Sequence, residues 1–139
     1  MIEQSQSRSI NEIFATDGEE SFREMESIIL ANLIGSTERS VISTGGGIVT
    51  REENIKKLTS IGFVFWLDAG VDSILDRVSG NRDRPLLKTE NPRKKILDLL
   101  SEREPLYERC SDERIQTDDL SVDEISYGIA ETARVWFSK

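Results

Sequence analysis

Three consecutive glycines, Gly45, Gly46 and Gly47, follow a short apolar stretch and raise the first question of chemistry. Glycine has no Cβ, so its backbone can approach a ligand closely, or the chain can simply turn there. Both interpretations stay open on spacing alone. A phosphate-binding Walker A loop has glycine directly before lysine, in the pattern G-x-x-x-x-G-K-[ST]. No glycine of this chain precedes a lysine, so this glycine turn (residues 45–47) is not such a loop.

Two arginines fall on or beside the apolar stripes of predicted helices. Arg103 shares a helix face with Ile96 and Tyr107, and Arg23 borders an apolar arc three residues before Glu26. Burying an unpaired charge is costly, so each arginine either pairs at the rim of the core or binds an anion. A surface salt bridge between Arg23 and Glu26 is one alternative. A carboxylate that holds an anion-binding arginine in position is the other, and with the glycine turn it favours a site for a small carboxylate.

A polar stretch with a proline, residues 81–92, carries Arg82 and Arg84. Arginine-bearing loops often close over phosphates that are being transferred. A solvated surface loop has the same composition, so spacing alone leaves both interpretations open.

The composition is that of an acidic globular chain of 139 residues, which fits one domain with a sizeable core. The net charge of −8 argues against nucleic acid as a partner. The chain lacks histidine, the commonest general base and metal ligand, and its one cysteine permits no internal disulfide, so we name no metal-ligating residue. With no long apolar run and no signal-peptide core at its start, we expect a cytoplasmic protein without a membrane partner.

Helices alternate with short apolar strands along the chain. Start signals for helices are Ser9 with Glu12, Asp72, Asn91 with Pro92, and Ser121 with Glu124, and stop signals are Gly18, Gly35 and Gly62. The predicted helices that follow the first short one span 19–34, 51–62, 71–80, 92–107 and 121–137, and the predicted strands span 40–44, 63–69 and 114–117. The strand at 63–69 is continuously apolar, which is typical of burial on both faces. This alternation indicates an α/β fold with a mainly parallel sheet.

Five segments together resemble the shikimate kinase family. They are "SINEIF…GEESFREME", "VISTGGG", "FWLDA", "NRDRPLL" and "REPLYE…IQTDD", in the family's order and covering nearly the whole chain. The resemblance implies a three-layer P-loop kinase-like fold with a parallel sheet of strand order 2-3-1-4-5. It also implies transfer of the γ-phosphate of ATP to the 3-hydroxyl of shikimate, with Mg²⁺.

The same resemblance assigns roles to individual residues. Arg23 and Arg103 would hold the shikimate carboxylate, with Glu26 orienting an arginine. The glycine turn of residues 45–47 would face the ring hydroxyls. Arg84 would be the catalytic lid arginine on the ATP phosphates, and Arg77 would pack on adenine. Leu120 stands where the family often has a polar residue near the nucleotide.

The chain departs from the family at its start. Members begin with a strand, a Walker A loop, a helix and a second strand ending in Asp-x-Asp, whereas residues 1–14 resemble the helix that follows these elements. We therefore expect a single, N-terminally truncated domain over 1–139, with a lid loop at 80–92 and without the first two strands. Phosphoryl transfer depends on positioning and charge stabilisation, which the Walker A loop provides in the family. Because this chain lacks that loop, we expect the chain alone to be inactive.

The missing central strand leaves two sheet edges without partners, which raises a question of assembly. The edges could collapse together, a second copy or a partner chain could cover them, or the chain could be part of a longer product. The alternative function is a non-catalytic binding or regulatory module related to the kinases.

Overall fold

Helices dominate the computed structural model, which describes residues 1–36, 38–79 and 91–138. In chain order the described elements are α1 (Ile2–Gln6), α2 (Ile10–Thr16), α3 (Gly18–Leu33), a 3₁₀ helix (Gly46–Thr50), α4 (Glu52–Ile61), β1 (Phe65–Asp68), α5 (Val71–Ser79), α6 (Pro92–Cys110), β2 (Glu113–Gln116) and α7 (Val122–Phe137). No helix of the described ranges is long and apolar enough to cross a membrane.

The predicted helix starts are mostly confirmed by their hydrogen bonds. Ser9 before α2 and Ser121 before α7 each form a capping box with the glutamate three residues later. The Asn91 side chain accepts a hydrogen bond from the backbone of Lys94, with Pro92 in the first turn of α6. The prediction that Asp72 caps α5 is wrong, because Asp72 lies inside that helix, one residue after its start.

The predicted helix stop at Gly18 is confirmed, because α2 ends at Thr16 with Asp17 as its cap, directly before this glycine. Gly18 is the first residue of α3, one residue after Asp17 caps α2. Its φ of +83° belongs to the left-handed region that glycine adopts at no steric cost. The chain therefore turns sharply between α2 and α3 without a connecting loop.

The described sheet consists of β1 and β2, which run parallel with Phe65 opposite Glu113 and Asp68 opposite Gln116. The backbone N–H of Thr117 extends the pairing by donating to the carbonyl of Asp68. A parallel pair needs a crossover connection, and α5 and α6 lie in the one between these strands. The parallel α/β expectation is thus met, although with fewer strands than predicted.

One strand prediction was wrong and a second was wrong in part. Residues 40–44 form no strand, and Val41 is 98% exposed. An extended segment becomes a strand only when another backbone pairs with it, and no described strand does so here. The strand at 63–69 shortens to β1 and is not buried on both faces, since Leu67 is 53% exposed. Within the described ranges, β1 pairs only with β2, so its other edge carries no strand.

The main hydrophobic core lies beside the 3₁₀ helix rather than across the sheet. Its buried members come from α3, the 3₁₀ helix, α4 and α6, and they are Leu30, Ile48, Val49, Ile55, Leu58 and Cys110. In contrast, α7 contributes no buried residue. Its aromatic end packs lightly, with the ring of Trp136 edge-on to Phe63 at 5.6 Å. The core thus fixes the 3₁₀ helix and the glycine turn before it.

Candidate functional site

The glycine turn opens the 3₁₀ helix, and its first residue requires glycine because of its backbone. Gly45 has φ 70° and ψ 158°, a region that is essentially restricted to glycine. A Cβ at this position would meet no atom within 4 Å, so space is not the constraint. The conformation of Gly45 sets the direction in which Gly46 and Gly47 enter the helix.

The next two glycines are required for space. A Cβ on Gly46 would lie 2.6 Å from the phenol oxygen of Tyr107, and one on Gly47 would overlap the guanidinium of Arg23. Real Cβ atoms do not approach other atoms so closely. The turn therefore packs against Tyr107 of α6 and Arg23 of α3, and it brings these two helices to one corner of the molecule.

Arg23 is held in this corner by two carboxylates. It is 7% exposed, and its Nη1 donates to Glu26 at 2.7 Å while its Nη2 donates to Glu19 at 3.0 Å. Glu26 is 6% exposed, so the pair is buried and Glu26 lies within the apolar side of α3. The predicted pairing of Arg23 with Glu26 is therefore present, as a buried ion pair rather than a surface one.

Electrostatics in the corner are set by burial and by three arginines. Burial raises the pKa of Glu26, and the charges of Arg23, Arg103 and Arg51 oppose this shift. Burial also works against the charge of Arg23, but its hydrogen bonds to Glu26 and Glu19 outweigh that cost and its pKa is raised. Arg23 therefore stays cationic.

Arg103 reaches the same corner from α6. Its Nη1 would lie 3.8 Å from a Cβ on Gly46, which places the guanidinium beside the glycine turn. Tyr107, one helical turn later, donates a hydrogen bond to the Gly46 carbonyl at 2.8 Å. Helical spacing of four residues puts both side chains on one face. Arg103 and Tyr107 thus meet the turn together.

Three buried side-chain atoms of the described residues have no hydrogen-bond partner: Arg23 Nε, Arg103 Nε and Asn54 Oδ1. All three border the glycine turn or the 3₁₀ helix, since the amide of Asn54 donates to the carbonyl of Ile48. Buried polar groups are normally paired, so unpaired ones need an explanation. Two N–H donors on cationic side chains fit an anion, and bidentate recognition by arginine suits a carboxylate.

Sequence reasoning missed Tyr107 and Asn54 as members of this corner. The available signal for Tyr107 was its distance of four residues from Arg103, which was used only to define an apolar stripe. The signal for Asn54 was a polar residue next to Ile55 on the buried side of α4. Asn54 is fully buried, which a single polar letter in a short helix does not reveal.

Arg77 lies elsewhere, at the carboxyl ends of the strands. It is exposed, and it donates to Thr117 through Nη1 to the side chain at 3.1 Å and through Nη2 to the backbone carbonyl at 2.9 Å. Asp118 next to it accepts hydrogen bonds from the backbone of Gly70 and the side chain of Gln116. The structure therefore joins α5 to the end of β2 through Arg77 and Thr117.

The predicted lid lies almost wholly outside the described residues. Arg82 and Arg84 belong to residues 80–90, and only Asn91 and Pro92 of the predicted lid are described, where they begin α6. The described residues contain no group of three acidic, cysteine or histidine side chains that could hold a metal ion.

Sequence comparison places the chain among known proteins. The family model for shikimate kinase matches residues 1–134. The shikimate kinase of Thermodesulfovibrio yellowstonii is 41% identical over 126 residues, which cover 91% of this chain and 72% of that protein. The shikimate kinase of Trichormus variabilis is 44% identical over 110 residues, which cover 79% of this chain and 60% of that protein. The chain therefore spans about 60 to 72% of the length of these relatives.

Solved structures agree with the sequence comparison. Shikimate kinase from Acinetobacter baumannii, determined in complex with shikimate, superposes with a TM-score of 0.88 at 33% identity, over 96% of this chain and 74% of that one. Shikimate kinase from Bacteroides thetaiotaomicron superposes with a TM-score of 0.80 at 25% identity, over 97% of this chain and 78% of that one. The P-loop kinase-like fold is thus confirmed. With the family model matched along almost its whole length, the chain belongs to the shikimate kinase family.

Proposed function

We propose that the corner formed by α3, the glycine turn and α6 binds shikimate. The observation that carries the proposal is the pair of buried, unpaired Nε donors on Arg23 and Arg103 beside the turn. A carboxylate would accept from both donors, and each such charge-assisted bond is roughly twice as strong as a neutral one. The similarity to a shikimate kinase solved with shikimate supports this choice of ligand.

In this proposal different residues of the corner contact different groups of the ligand. Arg23 and Arg103 hold the carboxylate, and Glu26 fixes the guanidinium of Arg23 through the 2.7 Å bond. The backbone of Gly45, Gly46 and Gly47 faces the ring hydroxyls beside these arginines. The corner thus recognises the substrate of a phosphotransferase that converts ATP and shikimate to ADP and 3-phosphoshikimate.

The nucleotide side of the reaction has less support in this chain. The family implies ATP and Mg²⁺, but the chain has no Gly-Lys step of a Walker A loop, and the described residues offer no metal-binding cluster. These residues do not fit a phosphate and magnesium site, so we derive no step through that group. We further propose that residues 80–92 act as a lid carrying Arg84 as the catalytic arginine, that Arg77 contacts the nucleotide base, and that 1–139 works as one domain.

The same observations favour a second candidate, a non-catalytic module that binds shikimate. Arg23, Arg103 and the glycine turn are present and meet in the corner, whereas the chain has no Gly-Lys step of a Walker A loop. We propose that the 139-residue chain alone does not turn over, and a coupled assay for shikimate-dependent ADP release tests this. Robust turnover by the pure chain would overturn that part of the proposal and restore the full enzyme.

The open side of the sheet suggests an assembly. Within the described ranges β1 pairs only with β2, and Leu67 and the end of α7 expose apolar side chains. We propose that backbone of a second copy or of a partner chain covers this edge, and light scattering after size exclusion would detect the copy as a dimer mass. We also propose a cytoplasmic location, where ATP is supplied.

Titration calorimetry with shikimate tests the substrate site. Arg103→Ala is expected to weaken binding roughly 100-fold, because it removes a charged partner of the carboxylate. Arg109→Ala is the matched control on the same helix, since Arg109 pairs with Glu52 away from the corner. The affinity of the Arg109→Ala variant for shikimate should stay within about twofold of that of the unaltered chain. Equal affinity of the Arg103→Ala variant and the unaltered chain, or no binding by the unaltered chain, would contradict the proposal.

A further inference from the structure

Tyr107 occupies the junction of three elements next to the proposed substrate corner. Its phenol oxygen donates to the Gly46 carbonyl at 2.8 Å, and its ring lies 5.6 Å from the ring of Trp66 on β1. Arg103 precedes it by one turn on the same face of α6. The side chain thus touches the glycine turn, the sheet and an arginine of the site at once.

The phenol oxygen of Tyr107 lies in close contact with Gly46 of the turn. A Cβ on Gly46 would come within 2.6 Å of the phenol oxygen, and the remaining ring atoms and Arg103 Nη1 stay at 3.7 Å or beyond. The oxygen, rather than the ring, is therefore the atom in closest contact with the turn. A loss of that oxygen leaves the ring packing in place but releases the turn.

The phenol and the Arg103 guanidinium lie beside the same glycine, Gly46. Burial raises the pKa of Tyr107, while the nearby charge of Arg103 opposes that shift. The phenol is therefore protonated at neutral pH and donates to the Gly46 carbonyl, with the Arg103 guanidinium beside the same glycine. Arg103 Nε is buried and has no hydrogen-bond partner in the described structure.

We propose that Tyr107 is a positioning residue for substrate binding, which holds the Arg103 guanidinium and the glycine turn in register for one carboxylate ligand. The inference rests on the proposed function, because the ligand is shikimate. It differs from a packing role in one respect. A packing residue affects every ligand equally, whereas a residue that orients Arg103 affects ligands with a negative carboxylate.

A comparison of two ligands separates these roles. NMR titrations measure binding of shikimate and of its methyl ester, which lacks the negative charge, to the unaltered chain and to Tyr107→Phe. We expect Tyr107→Phe to weaken shikimate binding about tenfold and methyl ester binding less than about twofold, since hydrogen bonds to charged groups are the stronger ones. Tyr127→Phe is the matched control, because Tyr127 is the only other tyrosine and is 69% exposed on α7.

A second variant reaches the same contact from the other side. Gly46→Ala places a methyl group against the phenol oxygen, so it should also weaken shikimate about tenfold or more and should do so less in the Tyr107→Phe background. This variant decides the question if Tyr107→Phe does not fold. The melting transition of each variant is recorded to confirm folding.

The outcomes distinguish the inference from the function beneath it. If the unaltered chain binds no shikimate, the proposed function fails and the inference falls with it. If the unaltered chain binds shikimate but Tyr107→Phe binds both ligands as before, or loses both equally, only the role of Tyr107 is overturned. Selective loss of shikimate binding supports it.

Discussion

The corner around the glycine turn and the side of the sheet that carries α7 differ in how completely their side chains are buried. In the corner, Arg23 and Glu26 are almost fully buried and form an ion pair beside the turn. On the other side, α7 has no buried residue and keeps Trp136 and Phe137 exposed. One region is closed by its own side chains, and the other presents apolar surface to solvent.

The difference teaches which parts of this fold depend on neighbours. The corner is made by α3, the 3₁₀ helix, α4 and α6, all of which are present and pack on one another. The sheet is made of strands that need a partner backbone at each edge, and β1 has a described partner at one edge only. Local side-chain packing therefore completes the corner but not the sheet.

The largest expected effect tests the buried pair. Arg23→Met leaves Glu26 without its strongest partner in a buried setting, so we expect a loss of about 3 kcal/mol or more in the free energy of unfolding. Urea denaturation measures the change. Arg109→Met is the control, because its pair with Glu52 is about half exposed and should be worth less than about 1 kcal/mol. Equal losses in both variants would remove the contrast between a closed corner and an ordinary surface.

A pair of glycine substitutions compares the two regions directly. Gly47→Ala forces a methyl group onto the Arg23 guanidinium, and we expect a destabilisation of about 1–3 kcal/mol. Gly128→Ala in α7 meets no atom within 4 Å and replaces a helical glycine, so it should stabilise by up to about 1 kcal/mol. Thermal melts of both variants measure the opposite signs. A shared sign would show that available space does not distinguish the regions.

The smallest expected effect is a difference in pH dependence. The pKa of Asp118, at the end of the sheet, is lowered by hydrogen bonds from Ser73, Gly70 and Gln116. A carboxyl with a lowered pKa stabilises the fold above its ordinary value of 3.8, and this contribution is lost as the pH falls below that value. Asp118→Asn should therefore flatten the decline of the unfolding free energy on the acid side.

The pKa of Glu26 is shifted in the opposite direction from that of Asp118, so its contribution to stability has the opposite pH dependence. Burial raises its pKa, so the folded state binds its proton more readily and its contribution declines as the pH rises above the ordinary value of 4.5. Glu26→Gln should remove the decline of the unfolding free energy above pH 4.5. In that pH range Asp118→Asn should change the unfolding free energy little. Urea denaturation at a series of pH values measures both, and a common slope change in the two variants would contradict the assignment.

Much of the corner follows from the sequence because its signals are local. Helix starts at Ser9, Asn91 and Ser121 depend on hydrogen bonds within four residues, and they were predicted. The convergence of Arg23, Arg103 and the turn was also expected, although their roles in binding remain predictions. Whether residues 40–44 form a strand could not be judged from their own sequence, since a strand depends on a partner from elsewhere in the chain.

Other features depend on three-dimensional packing that no spacing reveals. The contact between Tyr107 and Gly46 joins residues 61 positions apart. Arg77 contacts Thr117, and its proposed role at the nucleotide base remains a prediction. Arg84 remains one as well, outside the described residues.

The three glycines of the turn have a consequence for variation. Residue 45 is constrained by its backbone angles, and residues 46 and 47 are constrained by the side chains of two different helices. A saturation library would therefore show three adjacent positions intolerant to substitution, for separate reasons. A second-site change at Tyr107 could restore tolerance at position 46, but no change in a side chain could restore it at position 45. Substitutions in the turn are therefore limited by backbone geometry and packing, independently of any effect on ligand binding.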